Sequence, residues 1–584
     1  MRPNRHSKVR GCASLACLVS VFLFSSASRA ASEWHSEGGF RWAGLQVERN
    51  ERTGFTLLAP DQTGVTFTNL LDESAAAANR VLLNGSGVAA GDFDNDGLVD
   101  LYFCGLNQRN VLYKNLGNWK FLDVTEEAGL TSTNQFCRGA VFADLDGDGW
   151  LDLLVSTVGN GVLCFMNNGN GKFTNRTQLA GTASKFGSAT MALADIDGNG
   201  TLDLYIGNNR AEDIRDRGRV DLQLVKGKIV VPPALKTRLL VVDGQVLEYG
   251  EPDQLLLNNG KGHFTPASWT DGRFLDENGK RLAQPPLDWA LSVAFRDLNG
   301  DGTPDIYVCN DFWTPDRIWI NDGKGNFRAI DKLALRCTSG SSMGIDFADL
   351  DRDNRLDFIV VDMRSRDPHT RKRQAPAQRP AAEPAGATDD RPQILRNTLF
   401  HNRGDGTYEE IANFSGLAAT DWSWQPVFLD VDLDGYEDLL VTTGHARDVQ
   451  DMDAERQIQA QQHSWKGFTN AVERQRAFTH ELMLHMRLYP RLETPIFAFR
   501  NSGGMKFTET TQAWGTGQRG VHHGIALADL DNDGDLDLVV NNLGNAAGVY
   551  RNDTGAPRVA VRLRGTPPNT QGIGAKITLL NGAA

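Results

Sequence analysis

Asp92-Phe93-Asp94-Asn95-Asp96-Gly97-Leu98-Val99-Asp100-Leu101 packs four carboxylates into nine residues and ends on an apolar side chain. The pattern D-x-D-x-D-G-x-x-D occurs seven times with small substitutions, starting at Asp92, Asp144, Asp195, Asp297, Asp349, Asp430 and Asp529. The first aspartates are separated by 52, 51, 102, 52, 81 and 99 residues, so one unit is about 52 residues long and three intervals carry insertions. A fixed period of this size marks a repeat architecture.

A second landmark follows each loop. Asn-rich turns open at Asn115, Asn167, Asn258, Asn321, Asn402, Asn501 and Asn552, usually with an aromatic shortly after. Such turns signal hairpins. The distance from Asn turn to next acidic loop is 28 or 29 residues in five of six cases, and 39 after Asn258. Each unit reads as four strands; in the first these are Val88–Gly91 (A), Val99–Cys104 (B), Val111–Lys114 (C) and Phe121–Val124 (D). Four-stranded units cannot bury their faces alone, and radial stacking covers them. The expected fold is therefore all-β, a seven-bladed β-propeller over residues 55–555. The seventh unit lacks a D strand after Asn552, and Phe55–Leu58 is placed to supply it and close the ring.

Four crowded carboxylates repel one another unless a cation lies among them. Hard oxygen ligands at positions 1, 3, 5 and 9, with the carbonyl of position 7, suit calcium, and a small residue at position 6 allows the bend. The predicted ligands are Asp92, Asp94, Asp96, Leu98 and Asp100; Asp144, Asp146, Asp148, Trp150 and Asp152; and Asp195, Asp197, Asn199, Thr201 and Asp203. The fourth and fifth loops offer Asp297, Asn299, Asp301, Thr303 and Asp305, then Asp349, Asp351, Asp353, Arg355 and Asp357, with Asn354 in place of the glycine. The last two offer Asp430, Asp432, Asp434, Tyr436 and Asp438, then Asp529, Asp531, Asp533, Asp535 and Asp537. An EF-hand would need Glu at position 12 and flanking helices. Position 12 of the first loop is Phe103, between strand-like flanks.

The formal charge of −13 argues against a nucleic-acid groove. Residues 1–30 read as a secretory signal: Arg2, Arg5, Lys8 and Arg10 precede the apolar run Ala13–Phe24, and Ser28-Arg29-Ala30 offers a cleavage site. Its loss would remove five positive charges and leave about −18; up to seven calcium ions would bring this to about −4. The expected location is secreted, periplasmic or cell envelope, with no membrane span after signal removal.

These loops resemble the FG-GAP/VCBS repeats of integrin α-subunit propellers. The tail, Arg558–Leu563 followed by Asn569–Leu580, is similar to the start of an ASPIC/UnbV domain, so residues 556–584 read as a truncated beginning of one. The pairing resembles the cartilage acidic protein family and its bacterial relatives. The resemblance implies calcium binding and an extracellular or envelope location, and no settled catalytic role.

All three large insertions, 211–251, 364–395 and 445–493, fall between strands B and C, opposite the acidic A–B loops. Residues 220–249 suggest a small hairpin, the Arg-, Pro- and Ala-rich 364–395 suggests disorder, and 448–489 reads as helical. The extra length after Asn258 is expected to open on that same face. Binding function concentrates in such loops. Six residues before each first aspartate lie Ser86, Arg138, Ala189, Leu291, Met343, Trp424 and His523, where the innermost strand enters; Arg138, Met343, Trp424 and His523 are the ligand-face candidates.

Gly340-Ser341-Ser342-Met343-Gly344 spells a nucleophile elbow but precedes a propeller strand rather than a strand-to-helix turn. His480 and His485 in HELMLH are five apart, wrong for a zinc helix. Cys104 and Cys309 end B strands, and Cys137 and Cys337 lie near the next A strand, so bridges Cys104–Cys137 and Cys309–Cys337 are expected, with Cys164 a free core thiol. The leading reading is an exported calcium-binding module for a protein or glycan. The rivals are a calcium-dependent polysaccharide lyase or hydrolase, relying on Arg138 and His523, and an accessory protein of a biosynthetic pathway.

Overall fold

The computed structural model describes residues 34–45, 47, 52–131, 135–217, 222–242, 244–374 and 391–578. The expected signal segment and the middle of the 364–395 insertion lie outside these. Two compact units are present. In Met1–Gln46 the described part is an antiparallel pair, His35–Glu37 with Phe40–Trp42.

In Val47–Ala584, seven sheets follow one another in the order the repeats predict. Blade 1 runs A to D as Val88–Gly91, Asp100–Phe103, Val111–Asn115 and Phe121–Asp123, each strand antiparallel to the next. Blades 2 to 6 begin with the A strands Cys137–Ala143, Ser188–Ala194, Ala290–Arg296, Gly344–Ala348 and Ser423–Leu429. Blade 7 is His522–Ala528, Asp537–Asn542 and Gly548–Asn552, and its outer strand is Phe55–Leu58 from the other end of the chain, with Phe55 opposite Asn552. The N-terminal strand therefore completes the last blade.

Closure is also visible in the packing. Buried apolar residues form seven clusters, each shared by two neighbouring blades, the last joining blade 7 (Val539, Val549) to blade 1 (Leu101, Phe103). An open stack of seven blades would have six such interfaces. The A strands touch their neighbours in a complete cycle, which makes them innermost. Strand B is buried on both faces: Leu101 and Phe103 point to blade 7, Tyr102 and Cys104 to blade 2. That double burial explains the continuous apolar runs after each acidic loop.

The insertions take three forms. The first holds two hairpins, Gln223–Val225 with Lys228–Val230 and Leu239–Val242 with Gln245–Glu248. The second contributes a short helix, Pro368–Arg373, and the third the helices Met452–Gln459 and Ala471–Met486. Asp451 and Asn470 cap the latter two by accepting from backbone N–H groups.

The extra residues after Asn258 do not simply open on the insertion face. Phe274–Leu275 pairs in parallel with Phe327–Ala329 as a fifth, outermost strand of blade 4. Phe274 is fully buried, stacked on Trp269 at 4.0 Å and Phe327 at 5.2 Å. Aromatic burial, together with cover for an exposed sheet edge, draws the segment outward.

The expected disulfides are not formed. Cys104, Cys137, Cys309 and Cys337 are free thiols, and the Cys137 sulfur is engaged by Asn110 Nδ2 at 3.3 Å. Cys164 is a free, fully buried core thiol.

Candidate functional site

The seven acidic loops share one internal hydrogen-bond pattern. The first aspartate accepts the backbone N–H of position 5 with one oxygen and that of position 6 with the other, as in Asp96 N to Asp92 Oδ1 and Gly97 N to Asp92 Oδ2, both 3.0 Å. Position 5 then accepts from position 7, as in Leu98 N to Asp96 Oδ1 at 3.0 Å. Position 6 needs a left-handed backbone, and φ is +90° at Gly97 and +67° at Asn354. Position 4 is left-handed too, even where it is Arg352 or Leu433.

Position 9 has a second task. Asp100 accepts Asn115 N at 2.8 Å with one oxygen and Phe93 N at 3.1 Å with the other. The same pair of bonds recurs at Asp152, Asp203, Asp305, Asp357, Asp438 and Asp537. This residue ties the acidic loop to the Asn turn of its own blade. Burial, aided by the neighbouring carboxylates, pushes Asp100, Asp152 and Asp438 up to about 8 and Asp203 and Asp305 up to about 7.

The turn asparagine then reaches the preceding blade. Asn115 Nδ2 donates to Leu530 O at 2.9 Å, Asn167 Nδ2 to Phe93 O at 2.8 Å, and Asn258 Nδ2 to Leu145 O at 2.9 Å. Asn321 and Asn501 do the same toward Ile196 O and Leu350 O. At the two remaining interfaces Tyr408 OH reaches Leu298 O and Thr554 Oγ1 reaches Val431 O. Every blade interface thus has a polar staple at loop position 2. Five of the seven repeated asparagines make it, so its signal in the sequence is the same residue that marks the turns.

The ligand candidates converge. In each of the groups Asp92/Asp94/Asp96, Asp144/Asp146/Asp152, Asp195/Asp197/Asp203, Asp349/Asp351/Asp353 and Asp430/Asp432/Asp438, one carboxylate oxygen per residue lies within 4.8 Å of the others. Asp94 Oδ1 and Asp351 Oδ1 are buried without a hydrogen-bond partner. Bare carboxylate oxygens facing such a cluster fit a hard divalent cation, which would draw its oxygen ligands from positions 1, 3, 5 and 9.

The proposed ligand ring is differently placed. Arg138, Met343, Trp424 and His523 are all buried. The turn Arg80–Asn84 and Gly85 lies against Arg138 and His523: Val81 O accepts from Arg138 Nη1 at 3.2 Å, and a Cβ on Gly85 would sit 2.2 Å from the His523 ring. Trp424 meets His523 edge-on at 5.0 Å. Burial pushes Arg138 down to about 10 and holds the His523 imidazole well below its ordinary value. Their side chains are sealed by the chain itself, so a polymer could meet them only if this turn moved.

The surrounding segment is clamped by two insertions. Asn79 Nδ2 donates to Ala211 O, Arg80 pairs with Asp216, and Glu73 pairs with Arg447 and Arg487. Gln475 Nε2 donates to Asp216 O, while Arg373 pairs with Asp451. The three insertions and the 73–85 segment interlock into one cover.

These features define an FG-GAP-repeat β-propeller. The FG-GAP-like repeat description matches residues 92–155, 144–206, 297–360, 386–441 and 491–540. Among curated proteins the chain is similar to cartilage acidic protein 1, with 24% identity over 51% of this chain and 51% of the Xenopus tropicalis protein, and 23% over 62% of this chain and 56% of the human one. The chain spans about half the length of these relatives. A solved Agrocybe aegerita lectin, described as recognising non-reducing terminal N-acetylglucosamine, aligns at 18% identity and TM-score 0.33 over 62% of this chain and 77% of its own.

Proposed function

We propose that the chain is an exported calcium-binding propeller whose acidic loops stiffen one face while the opposite face binds an extracellular or envelope protein or glycan. The observation that carries this reading is the interlocked cover of three insertions, all on the B–C side. That cover exposes apolar side chains, with Val472 60% and Leu224 73% exposed. Beside the Ala471–Met486 helix it leaves a cavity of about 610 Å³ lined by Val472, Arg476, His480 and Met483. Exposed apolar surface of this kind marks interaction sites. Among the described residues no helix is long and apolar enough to cross a membrane.

The test has two arms. Millimolar calcium should raise the melting temperature and chelator should lower it; no change would remove the calcium half of the proposal. Immobilised matrix proteins and glycans should retain the chain, and replacing residues 445–493 by a short turn should abolish retention without unfolding the ring. Equal retention by that variant would remove the other half.

A further inference from the structure

The next-to-last residue of strand C in each blade lies beside its own acidic loop, immediately before the turn asparagine. In chain order this position holds Lys114, Met166, Leu257, Ile320, His401, Arg500 and Arg551. Lys114 Nζ bridges positions 3 and 5 of loop 1, contacting Asp94 and lying 3.0 Å from Asp96 Oδ2. Arg500 does the same in loop 6, 2.5 Å from Asp432 and 2.9 Å from Asp434. In loop 5, Arg355 pairs with Asp353 while the His401 imidazole lies 3.1 Å from Asp357. Arg551 of blade 7 turns away to Asp553, but loop 7 is engaged from the C-terminal segment by Arg558, which contacts Asp535 and lies 3.3 Å from Asp533. Among the described residues no lysine, arginine or histidine pairs with a ligand carboxylate of loops 2, 3 or 4.

We infer that the seven loops form two classes: loops 2, 3 and 4, in consecutive blades, are the tight divalent sites, and loops 1, 5, 6 and 7 are weakened by a tethered cation. This rests on the calcium reading above. An ammonium or guanidinium joining two ligand carboxylates does part of an ion's work in neutralising them. It also repels an arriving dication a few ångströms away, an interaction of kcal-scale strength even in a watery dielectric. The Asn at Asn199 and Asn299 removes one charge from loops 3 and 4 but keeps an amide oxygen as ligand. A bridging cation instead occupies the oxygens themselves. Lys114 leaves Asp94 Oδ1 without a partner, so loop 1 is weakened rather than abolished.

Calcium titration of the full chain, by calorimetry and equilibrium dialysis, should find about three tight sites and a second class at least tenfold weaker. Arg500→Met should move one site into the tight class, and so should Lys114→Met combined with Arg562→Met, because Arg562 also lies 3.2 Å from Asp92 Oδ2 in loop 1. Arg551→Met, at the same strand position but paired outside the loop, should change nothing. Met166→Lys should remove one tight site; hydrogen exchange then reports whether only loop 2 loses protection, separating a local effect from misfolding. Seven indistinguishable sites, or no change in Arg500→Met, would overturn the two-class inference and leave calcium binding intact. No bound calcium at millimolar concentration would instead overturn the calcium reading itself.

Discussion

A carboxylate can serve a metal or serve the backbone, and the acidic loops use both kinds. Asp152 is 1% exposed and accepts Leu145 N and Asn167 N; Asp146 is half-exposed and accepts one loop amide at 3.3 Å. In chelator, Asp152→Ala leaves two buried donors unpaired and should cost about 2–4 kcal/mol, while Asp146→Ala should cost less than about 1 kcal/mol. Urea unfolding with and without calcium checks this, and only Asp146→Ala should gain most of its penalty when calcium is present. Similar costs for both in chelator would mean position 9 has no separate role. His445 supplies a second prediction. It is buried, stacked on Trp422 at 4.2 Å, and burial pushes it down to about 4. An unfolded histidine titrates near 6.5. As pH falls from about 6.5 to about 4 the unfolded chain takes up a proton that the folded chain refuses. Folding should therefore lose up to about 3 kcal/mol across that window. His445→Gln should remove this component; an unchanged pH profile in that variant would assign the loss elsewhere.

At the level of elements, the ring is held shut by four residues from the far end of the chain. Phe55 is fully buried against Trp514, Ile525 and Tyr550. Phe55→Ala should cost about 3–5 kcal/mol. A chain beginning after Leu58 should expose the edge of Gly548–Asn552 and self-associate through it, as light scattering would report. A monomer with unaltered melting would show that blade 7 needs no fourth strand. This closure was legible in advance, because the missing D strand and the matching Phe55–Leu58 segment are both sequence features. So were the blades and the acidic loops, since each is a local pattern repeated at one spacing. The seal over Arg138 and His523 was not legible. Nothing local in Arg80–Gly85 says that it crosses a distant set of strands, and the residues that clamp it, Ala211, Asp216, Arg447 and Arg487, are remote in sequence. The outward course of Phe274 escaped for the same reason, since its aromatic partners come from two other segments. The tethered cations were hidden for a different reason. Lys114, His401 and Arg500 occupy one register position of strand C, which becomes meaningful only once that strand is known to flank the acidic loop, and Arg558 reaches loop 7 from the C-terminal segment.

For the molecule as a whole, the acidic loops place 26 carboxylates at ligand positions in a chain whose net charge is −13. The loops recur on one face because each joins an A strand to a B strand. Repulsion among them should then be a property of the ring and not of any one loop. It should also be screened by simple salt, because the Debye length falls from about 10 Å at 0.1 M to about 3 Å at 1 M. In chelator, raising sodium chloride from 0.1 to 1 M should lift the melting temperature by several degrees. With calcium bound the same change should do much less, since the ions have already neutralised the clustered charge. Sodium sulfate would confuse the comparison by strengthening apolar burial, so chloride is the salt to use. Equal shifts with and without calcium would show that carboxylate crowding is not what strains the metal-free ring. The polar staples at loop position 2, which do not depend on a cation, would then be sufficient to hold the blades in register.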